Sequence, residues 1–175
     1  MEFREVIARR YSCKAFDGRP VDEEALFAIL EAGRLAPTAK NLQEQRIYVV
    51  RSDEGLAKID AVTPCRYGAS TVLVVAFDAN SVFVYPGEER DSGIEDASIV
   101  ATHLMLAAAD AGVDSCWINY FDPAAVAREF GLPEGEEVLM LLDLGYAAEG
   151  AKPLKSHFQR KPLSETVSYL GEGRR

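Results

Sequence analysis

Apolar positions along the chain switch between helical and extended spacing. Phe3, Val6 and Ile7 share one side of a short helix expected over Glu2 to Arg9. Tyr11 to Val21 carries no period, and Asp17-Gly18 and Pro20 read as turns. Leu26, Ile29, Leu30 and Gly33 then mark the stripe of a second helix, with Asp22 placed to cap it. That helix must stop ahead of Pro37, because a proline ring disfavours helical backbone in the residue before it. Gln45 to Val50 predicts a strand, and Ser52 caps a helix carrying Leu56, Ile59 and Val62. Thr71 to Phe77 is a Val-rich, unbroken apolar run, which suits a strand covered on both faces.

Residues 78–93 have no usable period and read as loop. Ile94 to Ala111 predicts the longest helix, ended by Gly112. It is apolar nearly all round, so it belongs in a core or at an oligomer interface. A short strand over Ser115 to Asn119 follows, then a helix from Pro123 to Phe130 closed by Gly131. Val138 to Tyr146 is a second buried strand, and Pro162 to Leu170 offers a last short helix or an extended arm. Two helices therefore precede any strand, and helix outweighs the four strands. The expected fold is α/β of the α+β kind: one domain over residues 1–175, its core at about 2–170, as a three-layer sandwich with a central, mostly antiparallel or mixed sheet flanked by helices. A doubly wound nucleotide fold should open with a strand and a Gly-rich turn, and neither G-x-G-x-x-G nor G-x-x-x-x-G-K-[ST] occurs.

Composition narrows the classes. Of 175 residues, 48% are apolar and 27% charged, enough apolar material for a core and too much for disorder. The formal charge of −9 repels nucleic-acid phosphates. Cys13, Cys65 and Cys116 form no even framework and no C-x-x-C zinc pattern. The start, MEFREVIARR, has no apolar run of a signal peptide, and no stretch reaches a membrane span, so a cytoplasmic location is expected.

Against that acidic background, Arg9-Arg10-Tyr11-Ser12-Cys13-Lys14 gathers three cations and a hydroxyl in six positions. Guanidinium groups fork onto phosphate oxygens and a lysine supplies a point charge, so the segment suits an anion. It also suits a solvated basic turn past a helix end. Ala36-Pro37-Thr38-Ala39-Lys40-Asn41-Leu42-Gln43 offers a hydroxyl and two amides. Amides donate and accept, which fits the edge of a planar heterocycle, or a plain connecting loop. Cys116 beside Trp117 reads as a buried structural thiol, and Cys65 stands next to Arg66, whose charge could favour a thiolate. His103 reads as a packed helix residue, and His157 stands alone in the tail. Glu88-Glu89-Arg90-Asp91 reads as a solvated loop, and Glu95 and Asp96 as first-turn acids favoured by the helix dipole.

Taken in order, Arg-Arg-x-Ser-x-Lys-x-Phe from Arg9 and Ala-Pro-Thr-Ala-x-Asn-x-Gln from Ala36 resemble the FMN-dependent nitroreductase family. Ile94 to Ser98 leading into the Ala-rich helix, Gly112 to Ile118, Leu144-Gly145-Tyr146 and Arg160-Lys161-Pro162-Leu163 extend the likeness over about residues 2–170. The resemblance implies a nitroreductase-like fold and a homodimer with FMN at the subunit interface. It implies that Arg10, Ser12 and Arg160 hold the phosphate, with Lys161 assisting and Tyr11 contributing backbone. It places Lys14 at the flavin N1–O2 edge, and brings Pro37, Thr38, Asn41 and Gln43 from the partner subunit. Backbone at Ile118, Asn119 and Tyr120 would cover the other ring face near N5. Hydride would pass from NAD(P)H through flavin N5 to a nitro-aromatic, quinone or similar electrophile, in ping-pong fashion, with no catalytic side chain and no metal. Lys14 would serve only as electrostatic support.

The chain departs from the family in places. Gln43-Glu44-Gln45 stands where Gln-Pro-Trp is common, and Ala69-Ser70 replaces an Ala-Pro. The chain is short and lacks the helical insertion that covers the pocket in larger members. Two other readings therefore stay open: a specialised flavin enzyme such as a reductive dehalogenase, and a non-catalytic FMN-binding protein.

Overall fold

The computed structural model describes residues 2–87 and 89–171. The helices are α1 (Phe3–Arg9), α2 (Glu23–Arg34), α3 (Asp53–Val62), α4 (Gly93–Asp110), α5 (Pro123–Phe130) and α6 (Leu163–Thr166). The strands are β1 (Gln45–Val50), β2 (Thr71–Asp78), β3 (Asp114–Ile118) and β4 (Glu136–Gly145), in the spatial order β1-β2-β4-β3. Every pairing between these strands is antiparallel. The expected α+β sandwich is the observed fold. Its one parallel element, among the described residues, is an isolated bridge from Ser12 to Ser115.

The apolar run read as a doubly covered strand is β2, whose residues 71–77 are all buried. It lies between β1 and β4. Side chains alternate across the pleat, so each strand feeds two cores. Leu73, Val75 and Phe77 meet Met140, Leu142 and Leu144 under α2 and α4. Val72, Val74 and Ala76 meet Val138 and Leu141 under Ile59 of α3 and Val126 of α5. Val138 and Leu141 are three residues apart yet share a face. The reason is a bulge: Val75 faces Met140 and Ala76 faces Val138, so Leu139 has no partner and the alternation slips by one.

Local chemistry sets the ends. Ser52 accepts the Gly55 N–H at 3.1 Å, as expected of a cap. Asp122 accepts from Ala124 at 3.0 Å ahead of Pro123, and Gly131 ends α5 in the left-handed region. Asp22 sits at the N-cap of α2, but its carboxylate accepts from the Tyr146 hydroxyl at 3.2 Å instead of from a helix N–H. The final helix is a four-residue turn, and a 3-10 turn over Lys155–Phe158 precedes it. The stripe expected of α1 is only partly used. Val6 is buried, while Phe3 and Ile7 stay exposed because none of the described residues covers them. Of the acidic loop, Glu88 lies outside the described residues.

Gly33 lets α2 approach α4: a Cβ there would meet Leu104 Cδ2 at 2.6 Å. Leu104 is fully buried, so it has little room to yield. Asp143 is the anomaly of the opposite core. It stands on β4 between Cys116 and Val72, fully buried, and neither carboxylate oxygen has a partner among the described residues. Burial pushes its pKa up to about 9, only partly opposed by Arg66. Among the described residues no helix is long and apolar enough to cross a membrane, and no group of three or more His, Cys, Asp or Glu is placed to hold a metal.

These contacts make stability measurable at two points. Leu104→Ala should cost about 2–5 kcal/mol in denaturant unfolding. Gly33→Ala should destabilise the wild type but partly refill the space in the Leu104→Ala background, a coupling that a double-mutant cycle measures. The second point is Asp143. An unfolded aspartate ionises near pH 4, roughly its model-peptide value, whereas the folded one does so only near about 9. Between those values the folded state keeps a proton that the unfolded chain releases, so stability falls as pH rises through the window. Asp143→Asn removes that loss. Its stability relative to wild type should climb by several kcal/mol, on the order of 1.4 kcal/mol per pH unit, between pH 4 and 9. A difference that does not change with pH would contradict the buried, protonated Asp143.

Candidate functional site

Past α1 the backbone runs extended and is stitched to three neighbouring segments. Cys13 N–H donates to the Ser115 carbonyl at 2.9 Å, beside the Ser12–Ser115 bridge. Phe16 N–H donates to Tyr67 at 3.0 Å, Asp17 N–H to Tyr146 at 2.9 Å, and Ala148 N–H returns to Ala15 at 2.9 Å. The segment thereby continues the sheet beyond β3. Cys13 and Phe16 turn inward and are buried, while Ser12 and Lys14 turn outward. Gly145 makes room for Phe16, whose ring would lie 2.9 Å from a Cβ there.

Arg10 and Ser12 meet Leu154, Ser156, His157 and Arg160 around a cleft of about 200 Å³. Three residues expected at one anion site, drawn from opposite ends of the sequence, line the same space. The Arg160 guanidinium donates only to the Gln159 carbonyl, at 2.8 Å, among the described residues. Lys161 turns away to Glu165 at 3.9 Å and does not line the cleft. Tyr11 packs edge-on to the His157 ring at 6.5 Å, and His157 in turn to Phe158 at 5.0 Å. The Tyr11 phenol is held above its ordinary range by burial, then by its contact with the Cys13 thiol. His157 and Ser156 join this cleft unannounced by the sequence. A lone tail histidine carries no positional signal until the 3-10 turn of 155–158 places it.

Lys14 Nζ lies 5.6 Å from the centre of the Tyr67 ring. The Tyr67 phenol is pushed up to about 12 by its hydrogen bond with Cys65 and by burial. Burial likewise pushes the Cys116 thiol up to about 12, the Asp143 charge adding to it and Lys14 opposing it. That favours the structural reading of Cys116. The Arg66 charge beside Cys65 is already taken: it pairs with both Asp60 oxygens at 2.7 and 2.6 Å and donates to the Ala69 carbonyl at 2.7 Å. At the end of β3, Ile118 is buried, Asn119 accepts from Trp117 Nε1 at 2.9 Å, and the Tyr120 carbonyl accepts the Thr63 hydroxyl at 2.7 Å.

The second motif forms a tight polar loop. Thr38 precedes a 3-10 turn over Ala39–Asn41, and Lys40, Asn41 and Gln43 have φ of 50°, 56° and 54°. Non-glycine residues in this region cost roughly 1–3 kcal/mol each and persist only when surroundings enforce them. Here Gln43 N–H donates to Thr38 Oγ1 at 3.0 Å, and Ala39 N–H donates to both oxygens of Asp96 at 2.9 and 3.0 Å. Pro37, Thr38, Asn41 and Gln43 do not line the Arg10 cleft. Within one protomer the two motifs stay apart.

Asp96 is therefore more than a first-turn acid. It is buried, and it faces Glu44, which is buried as well. Burial and the contact with Asp96 push Glu44 up to about 7. In the sequence, Glu44 is visible only as a departure at the pocket edge. Nothing in Gln43-Glu44-Gln45-Arg46 says which of four polar residues turns inward.

Known proteins place this arrangement. A family model described as "Nitroreductase family" matches residues 7–65 and 64–146. An NADH dehydrogenase of Thermus thermophilus is 30% identical over 91% of this chain and 91% of its own length. The crystal structure of a nitroreductase family protein from Clostridium difficile 630 superposes with a TM-score of 0.91. It is 35% identical, over 98% of this chain and 100% of that one. A protein from Exiguobacterium sibiricum 255-15, solved in complex with FMN, shares the fold at a TM-score of 0.82 and 22% identity, over 97% of each chain. With its fold, its motif order and most of its length matched, the chain belongs to the nitroreductase family.

Proposed function

We propose that this protein is an FMN-dependent oxidoreductase that takes hydride from NAD(P)H and passes it to a nitro-aromatic, a quinone or a related electrophile. The observation that carries the reading is the meeting of Arg10, Ser12 and Arg160 on one cleft in a chain of net charge −9. Two guanidinium groups and a hydroxyl fit a phosphate monoester by charge and by donor geometry. When bound, FMN supplies the hydride chemistry itself. Arg10, Ser12 and Arg160 would anchor its phosphate, with Tyr11 contributing backbone. Lys14 is assigned to the pyrimidine edge, where a fixed cation offsets the negative charge left by an arriving hydride. Backbone at Ile118, Asn119 and Tyr120 is assigned to the opposite ring face. Lys161, paired with Glu165, is left a supporting role at most.

Pro37, Thr38, Asn41 and Gln43 are assigned to reach the cofactor across a homodimer interface. What supports this is their absence from the lining of that cleft in one protomer, together with uncovered apolar side chains. Phe3 and Ile7 on α1, Phe27 on α2, Ile94 on α4, and Phe158 and Tyr169 in the tail are all exposed. A partner subunit would bury apolar groups of this kind. With one accessible ring face, donor and acceptor would use the same space in turn, which gives ping-pong kinetics.

The purified protein should be yellow and release FMN at about one per subunit on heating. A protein that stays colourless after incubation with FMN removes the proposal. Steady-state turnover with NADH or NADPH separates an enzyme from a flavin-binding protein, and a product assay with halogenated phenols addresses dehalogenation. Arg10→Glu should weaken FMN binding by several kcal/mol, about a thousandfold or more, in a fluorescence titration, because it sets a like charge beside phosphate. FMN should also shift the monomer–dimer equilibrium toward dimer in sedimentation, since a ligand that binds only the assembled form stabilises it.

A further inference from the structure

Glu44 and Asp96 form a buried carboxyl pair directly under the strained polar loop. Glu44 is fixed by its own backbone: its carbonyl accepts from Asp78 N–H at 2.9 Å and from Arg46 Nη1 at 3.2 Å. Its side chain points beneath the loop that ends one residue earlier. There Ser92 Oγ, itself buried at the start of α4, donates to Glu44 Oε1 at 3.4 Å. Oε2 has no donor among the described residues. Ser92 also joins Glu44 to Asp96: its carbonyl accepts the Asp96 N–H at 2.8 Å, and the two Asp96 oxygens already accept the Ala39 N–H.

Two carboxyl groups can bond only if one of them holds a proton, and two charged ones repel strongly when buried. The flanking cations are engaged elsewhere, and the Arg90 guanidinium lies over the Tyr85 ring at 4.3 Å. The Arg46 guanidinium is spent on the Glu44 and Gln45 carbonyls, Asp78 and Glu136, and Lys40 Nζ lies over the Phe83 ring at 4.5 Å. The other acids of this corner are engaged as well. Glu95 accepts from the Tyr85 hydroxyl, Asp91 from Gly93 N–H, and Asp78 from Asn80 and Ser81.

We propose that Glu44 and Asp96 share one proton, and that this proton locks the Thr38–Gln43 loop in its strained form, making Glu44 a positioning residue for cofactor binding. The link to the cofactor rests on the flavin reading above; the carboxyl pair does not. With the proton in place, Glu44 donates to Asp96, and Asp96 holds Ala39. When the proton leaves to solvent, the two charges repel and the Asp96–Ala39 contact is the one free to open. The sign is set by linkage. A carboxyl bound more tightly to its proton in the locked loop than in the open one favours locking at low pH. That advantage is lost as pH rises toward the locked-state value of about 7, and levels off above it. A glutamine at this position donates at every pH.

The test is hydrogen exchange at the Ala39 amide, corrected for intrinsic rate, in the wild type and in Glu44→Gln between pH 5 and 8, together with FMN affinity over the same range. Wild-type protection relative to the variant should fall by up to about tenfold per pH unit between pH 5 and 7 and then flatten. FMN affinity relative to the variant should follow it. Taking the ratio cancels titration of the FMN phosphate, which both proteins share. Asp96→Asn should flatten the profile too, and serves if Glu44→Gln does not fold. A pH-independent ratio at Ala39 overturns the proposal. So does an Ala39 response with an FMN affinity ratio that stays flat. Failure of both proteins to bind FMN at any pH, with the Ala39 response intact, overturns the flavin reading and leaves the carboxyl pair standing.

Discussion

The pairing of β2 with β4 is the constraint on which the rest depends. Both strands are covered on both faces, so neither can shift register by one residue without moving a whole apolar set to the wrong core. The bulge at Leu139 makes this stricter. It lets Val138 serve the α3–α5 side while Met140 serves the α2–α4 side. Once this pair is set, β1 and β3 are necessarily the edges. The open edge of β3 is then where Ser12 and Cys13 dock in parallel. The Arg10–Arg160 cleft is thus a consequence of strand order. Arg10 and Ser12 are aimed by the edge they are attached to, and the chain leaving β4 returns past the same edge with His157 and Arg160.

Charge follows the same logic. A protein carrying nine excess negative charges repels anions over most of its surface, so a phosphate needs a concentrated positive site. Several of its cations are committed to neighbours: Arg66 to Asp60, Arg34 to Glu31, Arg46 to Asp78 and Glu136, and Arg51 to Glu23. Arg10 and Arg160 meet on one cleft instead, and Arg160 donates only to the Gln159 carbonyl among the described residues. Lys161 shows the contrast within one dipeptide, since a carboxylate four residues on draws it away.

The elements that are legible in the sequence are those whose signal is local. Thr71–Phe77 announces a doubly covered strand by being apolar throughout, and Pro123 with Gly131 brackets α5. The Arg9–Lys14 and Ala36–Gln43 segments are conspicuous because their residue types are unusual in an acidic chain. Boundaries move by one or two residues where backbone bonds outlast side-chain pattern, as at the start of β4. What stays hidden depends on contacts between distant residues. Asp22 looks like a cap, but Tyr146 takes its carboxylate, 124 positions away. Asp143 interrupts an apolar run, and a sequence cannot say whether such an acid faces water or a core. Glu44 and Asp96 lie on opposite sides of β1, α3 and β2 in the chain, and each alone reads as an ordinary surface acid.

That last pair shows why the polar loop can exist at all. Left-handed backbone at Lys40, Asn41 and Gln43 has no intrinsic stability, and the loop's own bonds, Gln43 to Thr38 and Gln43 to Asn41, only tie it to itself. Its attachment to the body of the protein runs through Ala39 to Asp96, on the helix that covers the β2–β4 sheet. A carboxylate placed there could bond other donors as readily. Burial of Glu44 beside it restricts that freedom, because a neighbouring acid is tolerable only when the two are bridged by a proton. The strain of the loop and the cost of burying two acids are therefore met by one arrangement. Glu44, beside the loop it steadies, supplies the missing half of it.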